Sequence, residues 1–389
     1  MCPLVTPTGI IFDLIHRLPI YIDKGTSIMT TQVFNLRTLG QKIRSVLKWL
    51  MIGVACLSLM AFFLESFFKY QDGKEFLAPG KLYQVNGHMM HLWCEGSAGS
   101  TFVLDAGASM FSSSWRWLIP ELSRNNRVCA FDRSGLGWSA SGPPPFDGIS
   151  AANELHELLK QAGIEQPFIY VGHSLGAMLG RIYHGQYPAD LEALVMLEPV
   201  DPVIFLQDLE EDRGKPVERG APISDCGVRC VLVRTLSSIG VVRLALDQIE
   251  VVNNPLFHDQ ALAEFKARTN RPDTLAFLAY RGKYIAEIIF QTADSRSMED
   301  LSVSIIYSSN SGELLGVYDS EEELLEDQRE MIFAWQKTLD LSAKSLGLTE
   351  IVDANHLSMV MHQKQAQQVG QRLLEIEQDL REQQYSTSN

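Results

Sequence analysis

The sequence predicts an α/β protein: a mostly parallel eight-stranded sheet with helices on both faces and a helical cap. Three observations carry that expectation. From Lys81 onward, short runs rich in β-branched and apolar residues alternate with runs of helical pattern, the mark of a covered sheet. The alternation stops between Val200 and Glu299, where mainly helical pattern intervenes, and strand character returns at "VSIIYS". One apolar strand-like run passes at once into Gly172-His173-Ser174-Leu175-Gly176 and then into a helix-like run.

The expected strands are "KLYQV", "MMHLWCE", "TFVLDA", "RVCAFD", "PFIYVG", "ALVMLE", "VSIIYS" and "LTEIVD". The expected helices of the sheet domain are "SWRWLIPELSRN", "AANELHELLKQAG", "LGAMLGRIYHGQY", "EELLEDQREMIFAWQKTLDLS" and a C-terminal one from Gln363 to about Gln384, after which "EQQYSTSN" reads as a frayed polar end. The domain boundaries that follow are a leader at 1–45, an apolar anchor at 46–68, a first part of the core at 69–199, a helical cap at 200–299 and the rest of the core at 300–389.

Gly-x-Ser-x-Gly between a strand and a helix has a chemical meaning. The serine is held in a tight turn, glycines two residues to either side let the backbones pass closely, and the hydroxyl stands clear of the sheet. Ser174 is therefore the candidate nucleophile, and the backbone N–H of Leu175, at a helix N-terminus, is aimed where an oxyanion would form. "LDAGAS", directly after an earlier strand, offers the Ala108 N–H as a second oxyanion donor. "FDRSGLGWS" follows the next strand.

On these residues the chain, from about Lys81 to Leu380, resembles the cap-bearing branch of the α/β-hydrolase superfamily of serine hydrolases, with its Asp-Arg-x-Gly-x-Gly-x-Ser loop. The sequence departs from that pattern where the His-Gly pair common in the oxyanion loop is replaced by Ala106-Gly107. The resemblance implies acyl transfer, because an Asp at the elbow would mark dehalogenase or epoxide hydrolase chemistry instead. Family order places the catalytic base last, and "EIVDANHLSMV" supplies His356 in a loop after the final strand. His173 reads as packed beneath the elbow and His362 as a surface helix residue. The acid that orients the histidine is Glu198, at the end of "ALVMLE". Glu313, Asp201 and Asp319 stay open, because no Asp stands at the usual short spacing after "VSIIYS". The implied reaction is a two-step cleavage of a small-molecule acyl substrate, a carboxylic ester, with no metal or organic cofactor. An amidase or aminopeptidase, with the acidic "DLEEDR" as amine site, and a non-catalytic binding protein on the same fold are the alternatives.

Charge divides the chain. The 389 residues carry a formal charge of −14, which argues against nucleic acid as a partner. Before Trp49, however, six basic residues (Arg17, Lys24, Arg37, Lys42, Arg44 and Lys48) face two Asp. The divider is the uncharged run "WLMIGVACLSLMAFFL", which with its flanks reaches the roughly 20 residues of a membrane-spanning helix. Basic residues on its N-terminal side place the start in the cytoplasm and everything after Leu64 outside, so membrane lipid is an expected partner through this helix. Met29 would begin a conventional leader. Of six cysteines only Cys226 and Cys230 are close in sequence, and an exported location would permit a bridge between them.

Overall fold

The computed structural model describes residues 36–214, 216–219, 227–248, 257–281, 284–295, 298–310, 321–342 and 344–387. Cys226, Glu313 and Asp319 lie outside them, as do the side chains of Asp208, Leu209 and residues 211–213 in "DLEEDR". Contacts within the chain divide it into two units, Met1–Cys56 and Leu57–Asn389. A single helix, α1 (Leu36–Glu75), begins the described chain. Its stretch Gly40–Glu75 is long and apolar enough to cross a membrane.

All eight expected strands are present: β1 (Lys81–Val85), β2 (His88–Glu95), β3 (Thr101–Asp105), β4 (Arg127–Phe131), β5 (Phe168–His173), β6 (Leu191–Leu197), β7 (Ser302–Asn310) and β8 (Lys344–Asn355). They form one sheet in the order β1-β2-β4-β3-β5-β6-β7-β8. β1 and β2 are a hairpin closed by Asn86-Gly87, both at positive φ, the turn chemistry whose twist matches that of the flanking strands. β2 runs antiparallel to β4, and every later pairing is parallel.

Side-chain alternation divides the core between the two faces of the sheet. Val103 and Tyr170 point to one side, whereas Phe102, Leu104, Ile169 and Val171 point to the other. The first face is covered by α3 (Gly148–Gln161), α4 (Leu175–Gln186) and α11 (Glu321–Asp340). The second is covered by α2 (Ile119–Leu122), α12 (Ser358–Met361) and α13 (Gln363–Thr387). Strands buried on both faces read as continuous apolar runs, which is why β3, β5 and β6 were so legible.

Two expectations are corrected here. "SWRWLIPELSRN" is not one helix but a 3-10 turn at Ser112–Trp115 followed by the short α2. Pro120 has no N–H to donate and suits the first turn of a helix, so a new helix starts at Ile119, and the buried Trp115, Leu118, Ile119 and Leu122 pin both pieces to the sheet. The polar C-terminus extends α13 to Thr387, beyond the expected fraying point. Between β6 and β7 the described residues form six helices: α5 (Pro202–Arg213), α6 (Gly227–Ser238), α7 (Val241–Leu246), α8 (Asp259–Thr269), α9 (Pro272–Arg281) and α10 (Ile285–Ala293).

A disulfide joins Cys94 to Cys129. These residues sit directly opposite each other on the antiparallel β2–β4 pair, so sheet register brings together cysteines that are 35 apart in sequence. Cys230 is also disulfide-bonded. Cross-linking a loop of that size restricts the unfolded chain, so replacing both Cys94 and Cys129 by Ala should lower unfolding stability by about 3–4 kcal/mol in denaturant titration. An unchanged midpoint would show that the cross-link contributes nothing to the sheet.

Candidate active site

The turn between β5 and α4 carries the site. Ser174 has φ 54° and ψ −116°, a conformation costly for any residue with a side chain, by roughly 1–3 kcal/mol. Close approach holds it there. A side chain at Gly172 would overlap the backbone of Gly176, and one at Gly176 would overlap the Asp105 carbonyl at the end of β3. The Ser174 N–H donates to the Leu197 carbonyl of β6 at 2.8 Å, and the Ala177 N–H donates to the Ser174 carbonyl at 2.9 Å. With the strand, the helix and both neighbouring strands fixed, the turn has no room to relax. Ser174 itself keeps 9% of its surface exposed.

Two backbone donors flank the serine. Leu175 is the first residue of α4, where N–H groups have no partner within the helix. Ala108 lies in the loop after β3, which is closed by the Met110 N–H donating to the Gly107 carbonyl at 3.2 Å. Among the described residues neither amide is engaged in a hydrogen bond. A Cβ at Gly107 would lie 3.0 Å from the His173 ring, so this loop passes the elbow closely enough that a side chain there would make the ring give way.

Arg133, of the "FDRSGLGWS" loop, anchors the loop after β3. Its guanidinium donates to the Asp105 carboxylate and to the carbonyls of Ala106 and Gly107. Asp105 also accepts from Tyr170 Oη at 2.6 Å. Arg133 and Asp105 are both buried, and such a charge pair needs further hydrogen bonds: the terminal nitrogens of Arg133 have theirs in the two carbonyls and Asp105 has Tyr170, whereas Arg133 Nε is buried without a partner. In the same loop, Asp132 accepts from the Ser112 and Trp138 amides at 2.8 Å and pairs with His91 at 2.9 Å. Sequence reading recognised this loop but assigned Arg133 no role. A charged residue within an apolar strand–loop junction was the available signal.

His356 stands beside the elbow. His173 Nε2 donates to the His356 carbonyl at 2.8 Å, and the two rings lie 4.8 Å apart between centroids. His173 is thus packed beneath the elbow and ties the loop after β8 to it. Burial drives the pKa of His356 down to about 4, and that of His173 well below the ordinary imidazole value. Among the described residues the His356 ring makes no hydrogen bond, whether to Ser174 or to a carboxylate. Catalytic hydrogen bonds of this kind often tighten only when substrate binds.

Glu198 is buried, at φ 49°, immediately after β6. Its N–H donates to the Ile306 carbonyl and its Oε2 accepts from the Ser308 N–H at 2.7 Å, so the carboxylate is engaged with β7. β7 stands between β6 and β8, so Glu198 and the loop of His356 are two strand spacings apart, about 9.5 Å. Asp201 is occupied elsewhere: its Oδ1 caps α5, accepting from the Val203 and Ile204 amides. His362 corrects an expectation. It is 8% exposed, bridges to Phe257 and packs against that ring at 5.2 Å rather than lying on the surface.

Of two neighbouring hollows, one reaches the serine turn, at Leu175. A small cavity of about 30 Å³ is lined by Arg133, Phe146, Glu154, Leu175 and Phe277. Burial raises the pKa of Glu154 in it to about 7. A wider pocket of about 490 Å³ shares Phe146 and Phe277 with it and continues between α6 and α9, past Arg234 and Thr274.

This sheet order, with a serine turn after β5 and a histidine loop after β8, defines the class: the chain has the α/β-hydrolase fold. A family model described as alpha/beta hydrolase fold matches residues 101–221. The chain is 30% identical to the uncharacterized protein YqjL of Bacillus subtilis over 122 residues, 31% of this chain and 47% of that one. It is 34% identical over 101 residues to the putative carbamate hydrolase RutD of Yersinia enterocolitica, 26% of this chain and 36% of that one. Among solved structures it is similar to the epoxide hydrolase CorEH, with TM-score 0.56 and 19% identity over 77% of this chain and 98% of that one. The chain spans between 28% and 51% of the length of the first three curated relatives it matches. The superfamily is the one that the elbow and its two loops resemble.

The His356 value has a kinetic consequence. An imidazole with a pKa of about 4 is neutral, and able to accept a proton, at any pH above that value. The rate at which a fluorophosphonate modifies Ser174 should therefore be level from neutral pH downward and half-maximal only near pH 4. A midpoint at the ordinary imidazole value or above would show a carboxylate standing against the ring in solution.

Proposed function

We propose that the protein is a serine hydrolase that cleaves a carboxylic ester through an acyl-enzyme. The observation that carries this reading is the hydrogen bond from His173, within the elbow, to the His356 carbonyl. That bond ties the loop of His356 to the elbow, whose serine is forced into the strained turn with two unengaged amides at hand.

The reaction follows from the parts. Ser174 Oγ bonds to the ester carbonyl carbon while its proton passes to His356, and the Leu175 and Ala108 amides receive the oxyanion. Collapse of the tetrahedral intermediate breaks the ester C–O bond, and the departing alcohol takes the proton from His356. Water, deprotonated by His356, then attacks the acyl-enzyme, releasing the carboxylic acid and restoring Ser174. Glu198 is the proposed acid, with Glu313 the alternative. The helices between β6 and β7 act as a cap over the serine turn.

The reading extends to location: α1 anchors the chain in a membrane, with everything after Leu64 on the non-cytoplasmic side. The basic leader supports this orientation. So does the Cys94–Cys129 disulfide, since such bonds persist outside the reducing cytosol. An enzyme held at a bilayer meets apolar esters at high local concentration, and these are its proposed substrates.

Ser174→Ala should abolish fluorophosphonate labelling and lower ester turnover by about 10⁴-fold or more while leaving the fold intact. Retained turnover by the purified variant excludes the serine mechanism. Glu198→Gln and Glu313→Gln separate the two acids. If Glu198 stabilises the imidazolium, its variant loses about 10²-fold or more activity relative to the Glu313 variant, and the reverse ranking moves the acid to the segment after β7.

A further inference from the structure

We infer that the corner formed by α6 and α7 rests in the lipid headgroup layer and takes up bilayer-dissolved substrate there. This rests on the reading of α1 as a membrane anchor. Glu65, the first charged residue after the apolar run, is only 3% exposed. A carboxylate at that position is costly unless it is paired. Its partners come from the helical insertion. Arg243 of α7 donates to both carboxylate oxygens at 3.0 Å, and Asn270, following α8, donates at 2.7 Å. One turn on, Lys69 donates to the carbonyl and hydroxyl of Ser237 at the end of α6, and a turn beyond that Asp72 accepts from Arg243 at 2.8 Å. The Arg243 guanidinium also lies 5.5 Å from the centre of the Phe68 ring.

The end of the apolar run is therefore joined rigidly to the α6–α7 corner, with no flexible linker between them. Leu64, Phe67 and Phe68 are exposed at this level, where the hydrocarbon would give way to headgroups. The corner is apolar on its outside. Val241 and Leu244, either side of Arg243, are 41% and 68% exposed. On α6, Val228, Val231 and Leu232 are 84%, 66% and 54% exposed. Their spacing of three and four residues puts them on one helical face, a contiguous patch of the kind that marks an interaction surface. A bilayer is the occupant that fits, because the patch adjoins the very turn at which α1 leaves its apolar run, and helices with such a face lie in the interface plane.

The other side of α6 faces inward. Cys230 and Arg234 line the pocket of about 490 Å³, whose Phe146 and Phe277 also border the cavity at Leu175. An acyl chain rising from the headgroup layer at α6 would thus have an aromatic-lined path to an oxyanion donor.

The test uses the full chain in lipid nanodiscs, with Cys2 and Cys56 replaced by Ser and a bimane label placed in turn at Val231→Cys, Leu244→Cys, Phe63→Cys and Phe333→Cys. Lipids carrying a nitroxide near the headgroup should remove about half or more of the fluorescence at the first three positions and leave the label on α11 unaffected. Quenching at 63 without quenching at 231 and 244 overturns the inference and leaves the anchor standing. No quenching at 63 overturns the anchor reading, and the inference with it. Independently, Val231→Asp combined with Leu244→Asp should lower turnover of a vesicle-embedded long-chain ester about tenfold and leave turnover of a short soluble ester unchanged. Equal rates on both substrates, or equal losses, overturn substrate uptake at this corner. Fluorophosphonate labelling of Ser174 reports the hydrolase reading separately in every sample.

Discussion

The molecule is organised around one backbone conformation, the left-handed turn at Ser174. A side chain there is intrinsically strained, and the strain persists only because β5, α4 and the end of β3 approach too closely for any other path. The bare backbones of Gly172 and Gly176 make that approach possible. The parallel order β3-β5-β6 then places the loop after β3 and the Leu197 carbonyl on either side of the turn. Removing the close packing would let the serine relax into the helix and take its hydroxyl out of position.

A second constraint keeps the neighbouring loop in register with the turn. Arg133 spans from its own loop to three acceptors in the loop after β3, and Tyr170, on the strand that delivers Ser174, holds the same Asp105. Three adjacent strand ends thereby share one buried polar network. In a low-dielectric setting such a network is rigid when complete and costly when broken, so it fixes the loop after β3 relative to the serine turn. The same logic recurs at Glu65, where a buried carboxylate with three kinds of donor joins the end of α1 to the insertion.

The sheet was legible because its strands obey a simple rule. Strands buried on both faces must be apolar throughout, turns between them must carry Gly, Pro or Asn, and each such boundary leaves a local mark. The elbow was legible for the same reason, since its glycines answer steric demands within five residues. What local pattern could not supply was any pairing across strands. Cys94 and Cys129, 35 residues apart, meet only through register. The helix expected at "SWRWLIPELSRN" was broken by packing of its tryptophan and leucines on the sheet.

By itself, then, the amino-acid sequence determined the alternation of elements, the serine turn, the histidine loop after the last strand and the apolar length of α1, because each is written in contiguous residues through side-chain volume, hydrophobicity or backbone freedom. Tertiary structure alone decided which distant groups meet: Arg133 against the loop after β3, His173 against the His356 carbonyl, Glu198 against the Ser308 amide of β7 and Glu65 against Arg243 of α7. These are polar contacts between residues far apart in the chain. Their energy depends on distance, burial and the number of donors supplied from other elements, and none of these exists until the sheet has assembled.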